Sequence, residues 1–276
     1  MKTLLLIDFN NVMFQSIAVH SEFTHEDAFT GGVYGFLIQI AKLTSNFSPE
    51  NIIVCLDHPP YHRKLRYPMY KEDRKKQKNP DPDFGVKLQT SKNQIKNLCA
   101  VLGIPIWSEE GQEADDLIAH AAINLHKDYD KIIVRSNDED LKQMLIYDNF
   151  FFFRNKAVYG KKDFLVEHPE CTPEMWLLVE SLTGTHNGIP GLNRVGAKTA
   201  IKILNDKNKF NKVYAENGEM LDRNMELIEL PCPFAPVTSE IPLKPFSFVE
   251  RDLIRFLATL GIDYASYIRE AFAENC

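Results

Sequence analysis

Seven acidic side chains stand where folding would gather them: Asp8, Asp57, Glu113, Asp115, Asp116, Asp138 and Asp140. Three of them close apolar runs of strand length, TLLLID at 3–8, IIVCLD at 52–57 and IIVRSND at 132–138. The other cluster opens a helical pattern, EADDLIAHAAINLH at 113–126, where the backbone dipole favours negative charge. Carboxylates crowded into one cleft repel unless a cation neutralises them or some take up protons. A set of hard oxygen ligands without accompanying His or Cys points to Mg²⁺ or Mn²⁺ rather than zinc. Such an ion polarises a phosphoryl oxygen and helps deprotonate a bound water, and two ions about 4 Å apart stabilise both attacking and leaving oxygens. The natural substrate is a phosphodiester. One acid at a strand end is commonplace, and so are acids at a helix start. Three strand ends agreeing with one helix start are much less easily accidental.

The runs that carry the aspartates are β-branched and continuously apolar, as strands buried on both faces of a parallel sheet are. NFFFF at 149–153 adds another strand. Helical patterns lie between them: GGVYGFLIQIAKLT at 31–44, TSKNQIKNLCAVLG at 90–103 with a glycine suited to a helix end, and 113–126. This alternation predicts an α/β fold with a mainly parallel central sheet flanked by helices. In such sheets the reaction crevice lies outside the carboxyl ends of the strands, so Asp8, Asp57 and Asp138 converge there. In a regular helix Glu113 and Asp116 share a face while Asp115 points elsewhere. For all three to serve one site, the segment has to begin before the helix is regular. After 172 the chain turns helical, PCPFAP at 231–236 marks a loop, and FVERDLIRFLATLG at 248–261 reads as a last helix.

A hydrophobic content of 44% and a charged content of 25% are those of an ordinary globular protein. No apolar stretch reaches the ~18 residues of a membrane span, and the early acid at position 8 excludes a signal peptide. Five scattered cysteines without CxxC spacing argue against a disulfide framework or zinc site and suit a reducing cytoplasm. The net charge of −6 conceals segregation. Residues 61–78 hold eight Lys or Arg against Glu72 and Asp73, and residues 193–212 hold six against Asp206. Such patches can give an acidic protein an electropositive face. Arg63, Arg66, Lys71, Arg74, Lys75, Lys76 and Lys78 interleave with Tyr61, Tyr67 and Tyr70, offering phosphate contacts and stacking surfaces for single-stranded DNA.

GIPGLNRVGAKTA at 188–200 nearly spells a phosphate-binding P-loop, but one extra residue separates Gly196 from Lys198 and no apolar strand precedes it. A helix–hairpin–helix fits better. There Gly191 and Gly196 permit a tight turn whose backbone N–H groups meet duplex phosphates, with Arg194 and Lys198 adding charge.

Taken in order, LLLIDFNNVMF, GGVYGF, VCLDHPPYHRKLRYPMYKEDR, EGQEADDLIA, VRSNDEDLKQML and GIPGLNRVGAKTA resemble the 5′-nuclease (flap endonuclease) superfamily. The likeness covers roughly residues 1–205. It is strongest to the bacterial polymerase-I 5′-exonuclease domain and its free-standing bacterial and phage relatives. EADD, then SxDxD, then IPGxxxxGxKTA form a highly specific series. The resemblance implies a divalent-metal-dependent 5′-3′ exonuclease or flap endonuclease in DNA replication or repair, with Mg²⁺ or Mn²⁺ in one or two sites. The ligands carry over onto Asp8, Asp57, Glu113, Asp115, Asp116, Asp138 and Asp140. Lys71 and Arg74, which follow Tyr70, carry over as the arch residues, with the role of stabilising charge on the scissile phosphate. Arg63, Arg66, Tyr67, Tyr70, Gly191, Arg194, Gly196 and Lys198 are the expected nucleic-acid contacts, and a K⁺ ion is implied in the hairpin. The expected division is a PIN-like catalytic domain at 1–170, with a helical arch at about 60–95 and NPDPDFG (79–85) as a bend within it. A helix–hairpin–helix subdomain with a C-terminal tail follows at 171–276. The implied partners are DNA with a 5′ flap, nick or 5′ overhang, RNA primers in RNA–DNA hybrids, and a separate DNA polymerase. A monomer in the cytoplasm of a bacterial cell or phage-infected host is expected, with no membrane association.

The pattern departs from the family at one place. Ahead of the hairpin, active relatives read GDxxDN, two aspartates completing a second metal site. Here Gly184, Thr185, His186, Asn187 and Gly188 stand instead, one residue shorter and without either acid. Two alternatives follow: a structure-specific DNA-binding protein with weak or no cleavage, and a PIN-type ribonuclease, against which the hairpin and the basic arch argue.

Overall fold

The computed structural model describes residues 1–72, 81–154, 156–185 and 187–273. The chain enters through β1 (Thr3–Asp8), whose six residues are all buried, and turns at once into α1 (Phe9–Val19). Asp8 makes that turn possible, because its side chain accepts the Asn11 N–H at 3.0 Å as a helix N-cap. A small hairpin, β2 (Thr24–His25) and β3 (Ala28–Phe29), leads to α2 (Gly31–Phe47) and β4 (Asn51–Cys55). Then follow α3 (His62–Arg66), α4 (Phe84–Val101), β5 (Ile106–Trp107), α5 (Ala114–Leu125) and β6 (Lys131–Arg135). A 3-10 turn at Asp140–Ile146 precedes β7 (Phe150–Arg154) and β8 (Ala157–Tyr159).

The central sheet has the order β5-β4-β1-β6-β7-β8. All its pairings are parallel except that of β8 with β7. This is the mainly parallel α/β sheet that the apolar runs predict. Because β4, β1 and β6 are neighbours, their carboxyl ends lie side by side. Alternation along each strand fills two cores. Leu4, Leu6, Ile53 and Val134 face α5 and the helices after it, whereas Leu5, Ile7, Ile52, Val54 and Ile133 face α1, α2 and α4.

The second half adds α6 (Lys161–Glu167), α7 (Trp176–Thr183), a two-stranded hairpin of β9 (Gly184–Thr185) with β10 (Ile189–Pro190), α8 (Ala197–Leu204) and α9 (Lys207–Ile228). It closes with α10 (Glu250–Ala258) and α11 (Ser266–Phe272). Leu182, Ala200 and Leu221 join the first core, and Leu253, Leu257 and Phe272 join the second. Cys55, Cys99, Cys171 and Cys232 are free thiols buried among these residues, as small hydrophobes are.

Four helices, α1, α6, α9 and α11, escaped the periodicity reading. α1 begins directly on a strand end, and α9 is polar enough that residues beyond 213 carry little apolar pattern. Two others shift. The helix expected over 90–103 starts at Phe84 and so takes in the last two residues of NPDPDFG, whose first two lie outside the described ones. The helix expected over 248–261 is α10, shortened to Glu250–Ala258, and α11 lies beyond that range.

Candidate active site

Asp8 ends β1, Asp57 lies two residues beyond β4, and Asp138 three residues beyond β6. Strand adjacency therefore brings these three together at one sheet edge. The Ser136 hydroxyl donates to Asp8 Oδ2 at 3.0 Å. Asp57 accepts from Asn10 Nδ2 at 2.9 Å and from the Ala114 N–H at 2.7 Å, which ties the end of β4 to the start of α5. Burial, with Asp57 and Asp138 adding to it, pushes Asp8 up to about 7.

The start of α5 resolves the geometric problem posed by EADD. Glu113 is the N-cap, with extended backbone at φ −98° and ψ 157°, so it precedes the regular helix. It forms a capping box with Asp116, and these two acids share one side. Asp115 turns the other way. Its Oδ1 is buried without a hydrogen-bond partner. Burial, then Asp138 and Asp8, raise it well above the ordinary carboxylate range.

The seven acids accordingly fall into two sets. Asp8, Asp57, Asp115, Asp138 and Asp140 form an anionic group with little internal compensation. Asp138 accepts the Asp140 N–H at 3.0 Å, and burial, reinforced by Asp138, lifts Asp140 to about 7. Glu113 and Asp116 are instead matched by cations. Arg63 grips Asp116 with two nitrogens at 2.5 and 2.8 Å and reaches Glu113 at 3.3 Å. Asp116 Oδ1 also accepts the Cys232 N–H at 2.8 Å. Tyr70 donates its hydroxyl to Glu113 at 2.8 Å, and the Lys71 ammonium pairs with the same carboxylate. Burial alone would push Glu113 upward, but Lys71 and Arg63 outweigh it and hold the carboxyl below its usual value.

Several site assignments change as a result. Arg63 is 3% exposed and Tyr70 also 3%. Such burial does not fit the expected nucleic-acid contacts: Arg63 is a buried counter-ion and Tyr70 a buried hydrogen-bond donor. Asp116, fully buried, is held by Arg63 and two backbone amides rather than facing the aspartates as an ion ligand. The sequence pattern could not separate these roles, because a buried and a surface arginine look alike in a basic run. Arg66 is exposed but pairs with Glu226 at 3.1 Å, and Tyr67 lies against Arg223 on the same acidic stretch of α9.

Lys71 stands where the cluster needs a cation. Its backbone adopts φ +56°, and its N–H donates to the Asn187 carbonyl at 2.6 Å, so the hairpin loop positions it directly. Its charge bears on Asp115 and Asp140 as well as Glu113. Arg74 and His186 lie outside the described residues.

The hairpin joins α7 to α8. Gly191 passes so near the end of α7 that a Cβ there would stand 2.0 Å from the Thr183 carbonyl carbon. Gly196, the N-cap of α8, faces open space, and Arg194 and Lys198 beside it are exposed. One carboxylate escaped the motif reading altogether. Glu180, on the apolar helix WLLVESLT, is 6% exposed and lies within hydrogen-bonding reach of Asp140. An acid within an apolar run was its only signal.

Among the described residues, no three His, Cys, Asp or Glu side chains are drawn together as a ready-made ion cage. The donor set nevertheless fits a divalent cation. Its ligands are all oxygen, Asp115 Oδ1 has no donor, and burial, reinforced by repulsion from neighbouring carboxylates, raises the proton affinity of Asp8 and Asp115, which a cation would relieve.

The sequence profile described as 5′-3′ exonuclease, N-terminal resolvase-like domain, matches residues 3–168. A 5′-3′ exonuclease of Aquifex aeolicus is 32% identical over 212 residues, covering 74% of this chain and 69% of that protein. The DNA polymerase I of Mycobacterium bovis is 29% identical over 92% of this chain, which spans only 30% of that enzyme's length. The bacteriophage T5 flap endonuclease, solved with DNA and metal ions, superposes with a TM-score of 0.67 at 22% identity, covering 83% of this chain and 90% of that one. With the strand-end aspartates, the EADD helix start and the hairpin in place, this chain belongs to the 5′-3′ exonuclease family, a family of nucleases.

Proposed function

We propose that the protein hydrolyses phosphodiester bonds near the 5′ end of DNA carrying a flap, nick or 5′ overhang, and of RNA primers in hybrids, using Mg²⁺ or Mn²⁺. The observation that carries this reading is the uncompensated group of Asp8, Asp57, Asp115, Asp138 and Asp140 beside a lysine-bearing segment and a hairpin. Asp8, Asp57, Asp115 and Asp138 would hold the metal, with Glu113 contributing from beneath Lys71. Bound there, the ion supplies a polarised phosphoryl oxygen and a nucleophilic water at neutral pH.

The chain's own residues do the positioning. Lys71 presents its ammonium between Glu113 and the aspartates, where it can take a non-bridging phosphate oxygen. Arg74, three residues further along the sequence, is assigned the same task. Backbone N–H groups around Gly191 and Gly196, with Arg194 and Lys198, seat the duplex phosphates, and a K⁺ ion in that hairpin would share the load. A catalytic unit at 1–170, a hairpin unit from 171 onward, a monomeric state, a cytoplasmic site and a separate polymerase partner belong to this reading. Among the described residues no helix is long and apolar enough to cross a membrane. The binding-only alternative is not favoured, because the family is one of nucleases.

The test is a divalent-ion titration with a 5′-labelled flap. Cleavage should rise from nothing in chelator to a plateau in Mn²⁺ or Mg²⁺, releasing short 5′ fragments. Uniform cutting along single-stranded RNA, with the flap left intact, would overturn the assignment in favour of a ribonuclease.

A further inference from the structure

Beside the aspartates opens a cleft of about 480 Å³, whose walls include Asp138, Asp140, Glu180, Thr185 and Asn187. Glu180 is the residue that the family motifs do not account for. It is 6% exposed, no donor reaches its Oε2, and the groups within hydrogen-bonding reach of its carboxyl are the Trp176 indole and a second carboxyl, that of Asp140. A buried carboxylate facing a second one is strongly unfavourable unless a proton or a cation lies between them.

Two observations favour a cation. The pair lines an open cleft that continues to Asp138, whose charge acts on Asp8 and Asp115. The same wall also carries Thr185 and Asn187, where this chain has no acid, and Glu180 lies four residues before Gly184, on the last turn of α7. The loop lacks a carboxylate, and the adjoining helix carries one on the same wall.

We propose that Glu180, together with Asp138 and Asp140, binds a second divalent cation and substitutes for the acids absent at Thr185 and Asn187. The assignment rests on the nuclease reading above. Carboxylates splay apart without their ion, and Mg²⁺ keeps several of its waters, so not every ligand has to touch it. Glu180 is a cation ligand in this account and takes no part as a proton donor.

Calorimetric titration of the full chain with MnCl₂, without DNA, tests this independently of cleavage. Wild type should bind two ions. Glu180→Gln and Glu180→Met should each retain one and weaken the other at least tenfold, while Asp8→Ala should spare the ion lost in the Glu180 variants. Two ions with unchanged affinity in folded Glu180 variants would leave Glu180 as a proton-sharing acid and overturn the proposal. So would a single ion in wild type. Tb³⁺ emission sensitised by Trp176, which lines the same cleft, gives a readout that needs no Glu180 variant. It should persist in Asp8→Ala and vanish in Asp8→Ala with Trp176→Phe, and its absence from Asp8→Ala contradicts the site. If wild type binds no ion and leaves the flap uncut, the nuclease reading itself fails. If one ion binds, depends on Asp8 and ignores Glu180, only the present inference fails.

Discussion

At the scale of single residues, the site distinguishes side chains that look interchangeable in sequence. Arg63 and Lys71 belong to one basic run, yet Arg63 is a buried counter-ion and Lys71 faces the acidic cleft. Removing Arg63 leaves the buried Asp116 without its counter-ion and leaves Glu113 to Lys71 and Tyr70, so Arg63→Ala should cost about 3–5 kcal/mol of stability, read from urea unfolding. Lys71→Ala should leave that stability comparatively unaffected and slow single-turnover cleavage by about 10²- to 10³-fold, the loss typical of one positioned transition-state donor. Equal cleavage by wild type and Lys71→Ala would remove Lys71 from the chemistry. The acids were legible because each stands at a strand end or helix start, where topology alone brings them together. Their division into a cation-matched pair and an uncompensated group was not legible. It depends on which way Arg63 and Tyr70 turn, and only tertiary packing decides that.

At the scale of elements, the hairpin between α7 and α8 makes two glycines unequal. A Cβ at Gly191 would collide with the backbone of Thr183, while one at Gly196 meets nothing within 4 Å. Gly191→Ala should therefore lower the melting temperature and weaken flap binding, whereas Gly196→Ala should do neither through packing. Lys198→Ala should weaken binding evenly across DNA sequences and reduce the salt slope by about 1, the signature of one lost phosphate contact. An unchanged slope would place Lys198 off the DNA path. β1, β4, β6 and β7 were readable because strands buried on both faces are continuously apolar. β5, with two residues, is too short to show a period, and the polar face of α9 hides a helix of 22 residues.

At the scale of the molecule, the C-terminal tail straps the catalytic sheet from outside. Thr238 and Ser239 donate backbone and side-chain hydrogen bonds to Glu109, at distances from 2.6 to 3.2 Å. Burial opposes ionisation of Glu109, but these donors prevail and hold it at about 2 against an ordinary 4.5. A depressed carboxyl contributes stability above its unfolded value and loses it as pH falls through the folded one. Wild type should thus lose this contribution between about pH 4.5 and 2, and Glu109→Gln should show a flatter acid limb in its unfolding profile. With solvent screening, the difference at neutral pH should be about 1 kcal/mol. Sheet, hairpin and tail together serve one claim, that the strand-end carboxylates cut DNA near a 5′ end. The most direct test compares wild type with Asp8→Ala on a 5′-labelled flap in Mn²⁺, with binding measured alongside. Cleavage by wild type and none by Asp8→Ala, with flap affinity retained in both, is the predicted result. Equal cleavage by the two, or none by either with tight binding intact, would contradict it.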